Sequence, residues 1–186
     1  MNDTITSPPH QGYGTVTAPD TVRLERWLPG PVERVWRYLT EPGLRAQWLA
    51  GGEMELRSGG AVQLEFRNND LTPGDDAPPA KYADAASLYR MQGRVTACEP
   101  PRVLAHTWSE ESGSPSEVRF ELTPQGDRVL LVITHTRLAG RDAMLSVSAG
   151  WHTHLELLRA RLAGTEPPAF WRTFNRLEAD YDRRLG

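Results

Sequence analysis

The chain has few of the residues that build covalent or metal-held structures. Its 186 residues include a single cysteine, Cys98. One thiol excludes both an intrachain disulfide and a cysteine-based metal cluster. We interpret Cys98, in the strand-like run RVTACEP, as a small packing residue rather than a nucleophile, because no nearby residue in the sequence is an activating base. Since no cofactor or metal motif is present either, we expect neither.

Excess positive charge and long apolar runs are also lacking. Lysine and arginine total 21 against 24 acidic residues, and Lys81 is the only lysine. A general nucleic-acid binder needs a basic excess to neutralise phosphates, so this class is not expected. No run approaches the roughly 18 apolar residues of a membrane span, and the first residues lack the basic start and apolar stretch of a secretory signal. We therefore expect a cytoplasmic protein.

The composition and length suit one domain with decorated ends. Hydrophobic residues make up 39% of the chain, enough for a real core. Residues 1–12 are polar and interrupted by prolines, which predicts a disordered tail, and 13–166 form the domain. Within it, the polar, proline-rich segment 68–87 predicts a long mobile loop. Residues 167–186 predict a separate amphipathic helix, whose apolar face consists of Phe170, Trp171, Phe174, Leu177 and Tyr181.

Hydrophobic periodicity predicts the order of the elements. A strand over 15–28 is followed by a helix in PGPVERVWRYLTEP, where apolar residues recur at i, i+3, i+4 and i+7, and by a short helix in PGLRAQWLAGG. About six strands follow, in EMELRSGGAVQLEFR, LYRMQGRVTACEPP, RVLAHTWS and SEVRFELTPQGDRVLLVITHTRL. A long helix over 141–163 comes next. Short hairpin links favour an antiparallel meander, and a strongly bent sheet around one helix leaves a space between them.

The order of these segments resembles a known superfamily. The chain resembles the SRPBCC (START-like, helix-grip) superfamily, in the branch named for the activator of heat shock protein 90 ATPase homologue. Five segments carry the resemblance: PGPVERVWRYLTEPGLRAQWL, GGAVQLEF, GRVTACEPPRVLAHTW, RVLLVITHT and GWHTHLELLRARLAG. The resemblance implies an α+β fold in which a curved antiparallel sheet wraps around a long helix from the C-terminal half, with two short helices after the first strand and an extra C-terminal helix. It also implies a deep apolar cavity. Members are associated with lipid or polyketide binding, cyclase-like chemistry or chaperone regulation.

Two histidines interrupt apolar strand faces that would line such a cavity. His106 lies between Leu104 and Trp108, and His135 has the matching parity on the last strand. Tyr89 and Gln92 lie on opposite faces of their strand, and the pattern leaves open which face points inward. The candidate cavity residues are Trp48, Leu64, Phe66, Tyr89, Gln92, His106, Trp108, Phe120, Ile133, His135, Trp151 and Leu155.

The stretch GWHTHLELLRARLAG is interpreted as a wall of the cavity rather than a catalytic site. His152 and His154 are two residues apart, about 200° around a helix, so they cannot chelate one ion together. Trp151 and Leu155 belong to the buried stripe. We expect His154 at the border of that stripe and His152 further outward, both as bystanders.

These patterns favour a non-enzymatic protein that binds a small hydrophobic or aromatic molecule. Two alternatives remain open. One is a cyclase- or dehydratase-like enzyme with His106 as general base, which needs a second polar partner at the substrate. The other is a regulator of a chaperone ATPase, whose partner surface would be the apolar face of the last helix. The same face also suits a homodimer contact.

Overall fold

The computed structural model describes residues 12–109 and 113–185, and all of the predicted tail except Gly12 lies outside them. A seven-stranded antiparallel sheet has the order β1-β2-β7-β6-β5-β4-β3. Its strands are β1 Thr15–Ala18, β2 Thr21–Pro29, β3 Ala61–Phe66, β4 Tyr89–Glu99, β5 Val103–Trp108, β6 Ser116–Gln125 and β7 Arg128–Thr136. From β3 to β7 each strand pairs with its neighbour in sequence, as a meander requires, and β2 then pairs with β7.

Five helices complete the described part of the chain. They are α1 Val32–Thr40, α2 Pro42–Arg45, α3 Ala83–Ala86, α4 Gly140–Ala163 and α5 Phe170–Arg184. The two early helices, the curved antiparallel sheet, the long α4 and the extra α5 confirm the predicted helix-grip architecture. Within the described ranges, no helix is both long enough and apolar enough to cross a membrane.

The sheet buries one face because apolar side chains alternate along its strands. In β7, Leu131, Ile133 and His135 are completely buried, while the residues between them are partly exposed. The helix α4 lies across this face, and the Trp151 ring contacts that of Phe120 on β6 at a centroid distance of 5.5 Å. Burying a leucine such as Leu155 fully contributes about 2–3 kcal/mol.

The helix α4 is buried on more than the side that faces the sheet. All five residues from Trp151 to Leu155 are buried, because α5 packs on the side of α4 away from the sheet. Every residue of the predicted apolar face of α5 is buried within its own domain. This face is therefore not available as a chaperone-docking or dimer surface, and the regulator alternative loses its support.

Two local features differ from the expectations. The first strand divides at Pro19 and Asp20 into β1 and β2. The EMELR arm forms only isolated bridges with β3 instead of a strand. In β4, a Cβ at Gly93 would lie 2.4 Å from the Thr107 carbonyl oxygen, so this glycine allows a close approach of two strands. The register shift of β4 lies further on, between Val95 and Ala97.

The predicted loop 68–87 contains regular structure. It forms 3₁₀ turns at Asn68–Asp70 and Ala80–Tyr82, followed by α3. Its polar residues form hydrogen bonds to α5. Because these bonds and not an apolar face hold the segment, its sequence shows no hydrophobic periodicity. The predicted mobility of this segment stays a prediction.

Candidate functional site

Two adjoining hollows lie between α4, α5 and the β3–β5 end of the sheet. The larger has a volume of about 360 Å³ and the smaller about 160 Å³. Five residues border both of them, namely Phe66, Trp108, Ser146, Gly150 and His154. The larger hollow is also lined by Asn68, Tyr82, Ala85, Ala86, Tyr89, Phe170, Trp171 and Phe174, and the smaller by Leu49, His135, Val147 and Trp151.

Aromatic rings form most of the shared wall. Trp108 contacts Phe66 at a centroid distance of 5.6 Å and Trp151 at 5.4 Å, the latter edge to face. Tyr89 stands at the rim of the larger hollow and is 41% exposed. Such rings offer a large apolar surface and favour the stacking of a planar molecule.

Gly150 opens the space between α4 and the sheet. It lies in the interior of α4, where glycine costs about 1 kcal/mol relative to alanine. A Cβ built at Gly150 would meet nothing within 4 Å outside the backbone of its own helix. Close packing therefore does not require glycine here. The missing side chain leaves a gap in the helix face that borders both hollows.

His154 borders both hollows, as Ser146 does. Its Nδ1 lies 2.7 Å from the Trp48 carbonyl oxygen, which can only accept, so Nδ1 carries the proton and Nε2 is an acceptor. The ring lies among the apolar side chains of the core, and this burial lowers the pKa of His154 to about 4. At neutral pH the imidazole is uncharged.

His135 belongs to a fixed network behind the smaller hollow. The Trp151 indole N–H donates to its Nδ1 at 3.0 Å, so Nε2 carries the proton and donates to the Ser116 hydroxyl at 2.8 Å. Burial lowers the pKa of His135 to about 3. Both ring nitrogens are engaged within the protein, so this histidine holds Trp151 in place as part of the wall.

His106 does not border either hollow. Its Nδ1 lies 2.9 Å from the Thr107 carbonyl oxygen, and its ring stacks between Trp108 and Phe120. The side chain is 1% exposed, and burial lowers the pKa of His106 to about 4. A general base must reach its substrate, so this position removes the geometric basis of the enzyme alternative.

The other candidate residues divide into three groups. Phe66, Tyr89, Trp108, His135 and Trp151 border a hollow. Trp48, Leu64, Phe120, Ile133 and Leu155 are buried in the core and line neither hollow, because neighbouring side chains fill the space around them. Gln92 is exposed, since Tyr89 and Met91 occupy the inward face of β4 and the alternation turns Gln92 the other way.

Sequence reasoning missed the contributions of α4, α5 and the 68–87 segment. His154 borders both hollows instead of being a bystander, and His152 is buried with its Nδ1 3.0 Å from the Tyr181 hydroxyl instead of facing outward. Both histidines are buried because α5 covers the side of α4 that the pattern assigns to solvent. Gly150, a glycine in the interior of a predicted helix, is the one feature of the sequence that indicates a gap at this position.

The wall formed by the 68–87 segment is held against α5 by directed hydrogen bonds. The Asp75 carboxylate accepts the backbone N–H groups of Trp171 at 2.6 Å and Arg172 at 3.1 Å, at the first turn of α5. Burial alone would raise the pKa of Asp75, but these N–H groups hold it below its usual value. The Tyr82 hydroxyl donates to Glu178 at 2.9 Å, which places the Tyr82 ring at the larger hollow.

The described residues contain no group of three or more His, Cys, Asp and Glu side chains that could hold a metal ion. Among the residues that the structure describes, no carboxylate and no cysteine borders the two hollows. The arrangement can therefore bind an apolar molecule and offer it a small number of neutral polar contacts.

Comparisons with known proteins agree with this architecture. A protein from Bordetella parapertussis, whose solution structure was determined by NMR, is 47% identical, with a TM-score of 0.78 over 93% of this chain and 90% of that one. CalU16 from Micromonospora echinospora is 23% identical, with a TM-score of 0.61 over 89% and 87%. DynU16, a protein of the dynemicin biosynthetic locus, is 21% identical, with a TM-score of 0.58 over 82% of this chain and 50% of its own.

The two lower identities show the fold alone, and no curated protein gives a significant match. The family model described as "Activator of Hsp90 ATPase homolog 1-like protein" matches residues 29–163, most of the chain. The chain therefore belongs to the activator of Hsp90 ATPase homolog 1-like family, in the START-like superfamily that its sequence resembles.

Proposed function

We propose that this protein binds a small hydrophobic, aromatic molecule in the two hollows between α4, α5 and the sheet. Ligand sites have volumes of about 300–1,000 Å³, are largely apolar and carry few polar groups. The larger hollow, at about 360 Å³, lies within that range and the smaller one extends it. The family, in a superfamily associated with ligand binding, supports the same function.

The gap at Gly150 carries this proposal. A core selected for stability alone would place alanine or a larger residue there, because both the helix propensity and the open space favour it. Glycine instead leaves part of the half-buried Trp108 ring uncovered on the side of α4, beside the edge of Phe66. An occupant that covers these rings would recover roughly 25 cal/mol for each Å² of apolar surface removed from water.

The described lining residues include no acid–base pair, which favours binding over catalysis. His154 is neutral, and no carboxylate in the described part of the chain borders the hollows to orient it or exchange a proton with it. His106 borders neither hollow, and both ring nitrogens of His135 are bonded within the protein. Binding or transport of a ligand therefore fits this site better than catalysis.

The test fills the gap with a side chain. In Gly150→Leu the new side chain occupies the hollow, and we expect aromatic ligands of two or three rings to lose at least tenfold in affinity, about 1.4 kcal/mol. The matched control is Gly43→Leu. Gly43 lies on α2, is exposed, and likewise has nothing within 4 Å of a Cβ.

Binding is measured by calorimetry and by the NMR signals of the six tryptophan indole groups. We expect saturable shifts at Trp108 and Trp151 in the wild type and in Gly43→Leu, with loss of both in Gly150→Leu. If no aromatic compound binds saturably, or if Gly150→Leu binds as well as the wild type, the proposal is wrong.

A further inference from the structure

One ring nitrogen of His154 is bonded within the protein and the other is left to determine which polar group a ligand can carry. His154 donates from Nδ1 to the Trp48 carbonyl, so Nε2 keeps its lone pair. Among the described residues, Nε2 has no hydrogen-bond partner. The ring is 6% exposed and lies between Phe66, at a centroid distance of 6.5 Å, and Phe170, at 4.9 Å. An acceptor in these apolar surroundings is best matched by a group that donates.

A second unmatched polar group borders the same hollow. Asn68 follows β3, and its side-chain oxygen is buried without a hydrogen-bond partner in the described part of the chain. A buried polar atom without a partner is unfavourable, so a turn of the amide that lets it bond to a ligand recovers part of this cost. The two ends of an amide have nearly the same shape, so Asn68 can also turn and donate.

The described lining of both hollows carries no charged side chain. No Arg, Lys, Asp or Glu borders either of them within the residues described. Glu178, which bonds to the lining residue Tyr82, is itself paired with Lys81 and does not border the larger hollow. A carboxylate or ammonium group would lose its hydration without gaining a counter-ion, at a cost of several kcal/mol. The site therefore disfavours charged ligands.

We propose that the ligand is a neutral aromatic compound with a hydroxyl or N–H group that donates a hydrogen bond to His154 Nε2, with Asn68 as the second polar contact. A hydroxyl suits this pair best, because it donates once and can also accept from a turned amide. This inference rests on the proposed binding function and adds the chemistry by which the site selects among aromatic molecules.

Three matched probes test the inference by calorimetry on the full chain at pH 7. 2-Naphthol carries the donor, 2-methoxynaphthalene replaces it with an acceptor, and 2-naphthoate carries a charge. One well-formed hydrogen bond contributes about 0.5–1.5 kcal/mol, so we expect 2-naphthol to bind up to about tenfold more tightly than 2-methoxynaphthalene. We expect 2-naphthoate to bind more weakly than both.

Two variants assign the selection to the named groups. His154→Phe keeps a ring but removes the acceptor, and we expect the preference for 2-naphthol to fall to about one. Asn68→Leu keeps the volume and removes the amide, and we expect the preference to fall by two- to threefold. His152→Phe is the matched control, because His152 is two residues away on α4 and borders neither hollow, and it should retain the wild-type preference.

The failures of the two proposals are distinguishable. If none of the probes binds the wild type, the binding function itself is wrong. If the methyl ether binds as tightly as the naphthol, or if 2-naphthoate binds best, the neutral-donor inference is wrong while the binding function stands. Retention of the full preference by both His154→Phe and Asn68→Leu, with circular dichroism showing that they fold, overturns the assignment to these groups.

Discussion

Acidification to pH 5 should remove most of the stability of this fold. Four histidines are buried and uncharged, and burial lowers their pKa to about 4 for His106 and His154 and to about 3 for His135 and His152. In the unfolded chain their pKa is near 6.5. Below that value the unfolded state binds protons that the folded state does not, so stability falls as the pH drops from about 6.5 towards 4.

The magnitude follows from linkage. A proton bound only by the unfolded state changes stability by up to about 1.4 kcal/mol per pH unit. Between pH 7 and pH 5 each of the four histidines therefore removes about 1.9 kcal/mol, and together they remove about 7.5 kcal/mol. This is comparable with the 5–15 kcal/mol that separates most folded domains from their unfolded state. Carboxylates contribute mainly below pH 5, so this window isolates the histidines.

Urea denaturation at pH 7, 6 and 5, followed by circular dichroism and tryptophan fluorescence, measures the effect. We expect the midpoint to fall steeply with pH, and His106→Phe to flatten the dependence by about one quarter, because phenylalanine can stack between Trp108 and Phe120 without a titrating group. A loss below about 2 kcal/mol between pH 7 and 5 would refute the reasoning, since it would mean that no more than one of these histidines is excluded from protonation in the fold.

Three substitutions test the packing around the hollows, each by urea or thermal unfolding. Gly150→Ala should stabilise the protein by about 0.5–1 kcal/mol, because the new methyl group has room and the helix propensity improves; destabilisation would mean that the gap is not there. Asp75→Ala should cost about 1–2 kcal/mol through the loss of two N–H partners at the start of α5, and an unchanged stability would argue against that cap. Leu155→Ala should cost about 2–5 kcal/mol, whereas Leu56→Ala, at an exposed position, should stay within about 0.5 kcal/mol; equal effects would contradict the assigned burial.

The sheet and the inward face of its strands could be predicted from the sequence because a strand has a side-chain period of two. Alternation places Val118 and Phe120 of β6 and Leu131 and Ile133 of β7 on one face, and hairpin turns set their antiparallel order. His106 and His135 are buried on that face as their parity predicts. The same rule leaves Tyr89 and Gln92 ambiguous until the pairing of β4 is known.

Which inward residues border a space and which are packed solid could not be predicted in this way. Parity gives the direction of a side chain, while a hollow depends on the sizes of the side chains that meet it from other elements. Leu64 and Phe66 share a face of β3, yet only Phe66 borders a hollow, since it lies at the end of the strand near Gly150. The part of α5 in burying α4 could not be predicted, because the apolar pattern of a helix does not show which neighbouring element packs against each of its faces.

Two departures from local rules meet at the same place, and this strengthens the case for a ligand. Gly150 lowers the stability of a long helix without any packing need, and Asn68 leaves a polar atom unsatisfied beneath the surface. Each has a cost of about 1 kcal/mol or more that the well-packed core around Leu155 must offset. Both border the larger hollow. Because natural chains concentrate such departures where they have a function, their coincidence is better explained by an occupant than by two independent defects of folding.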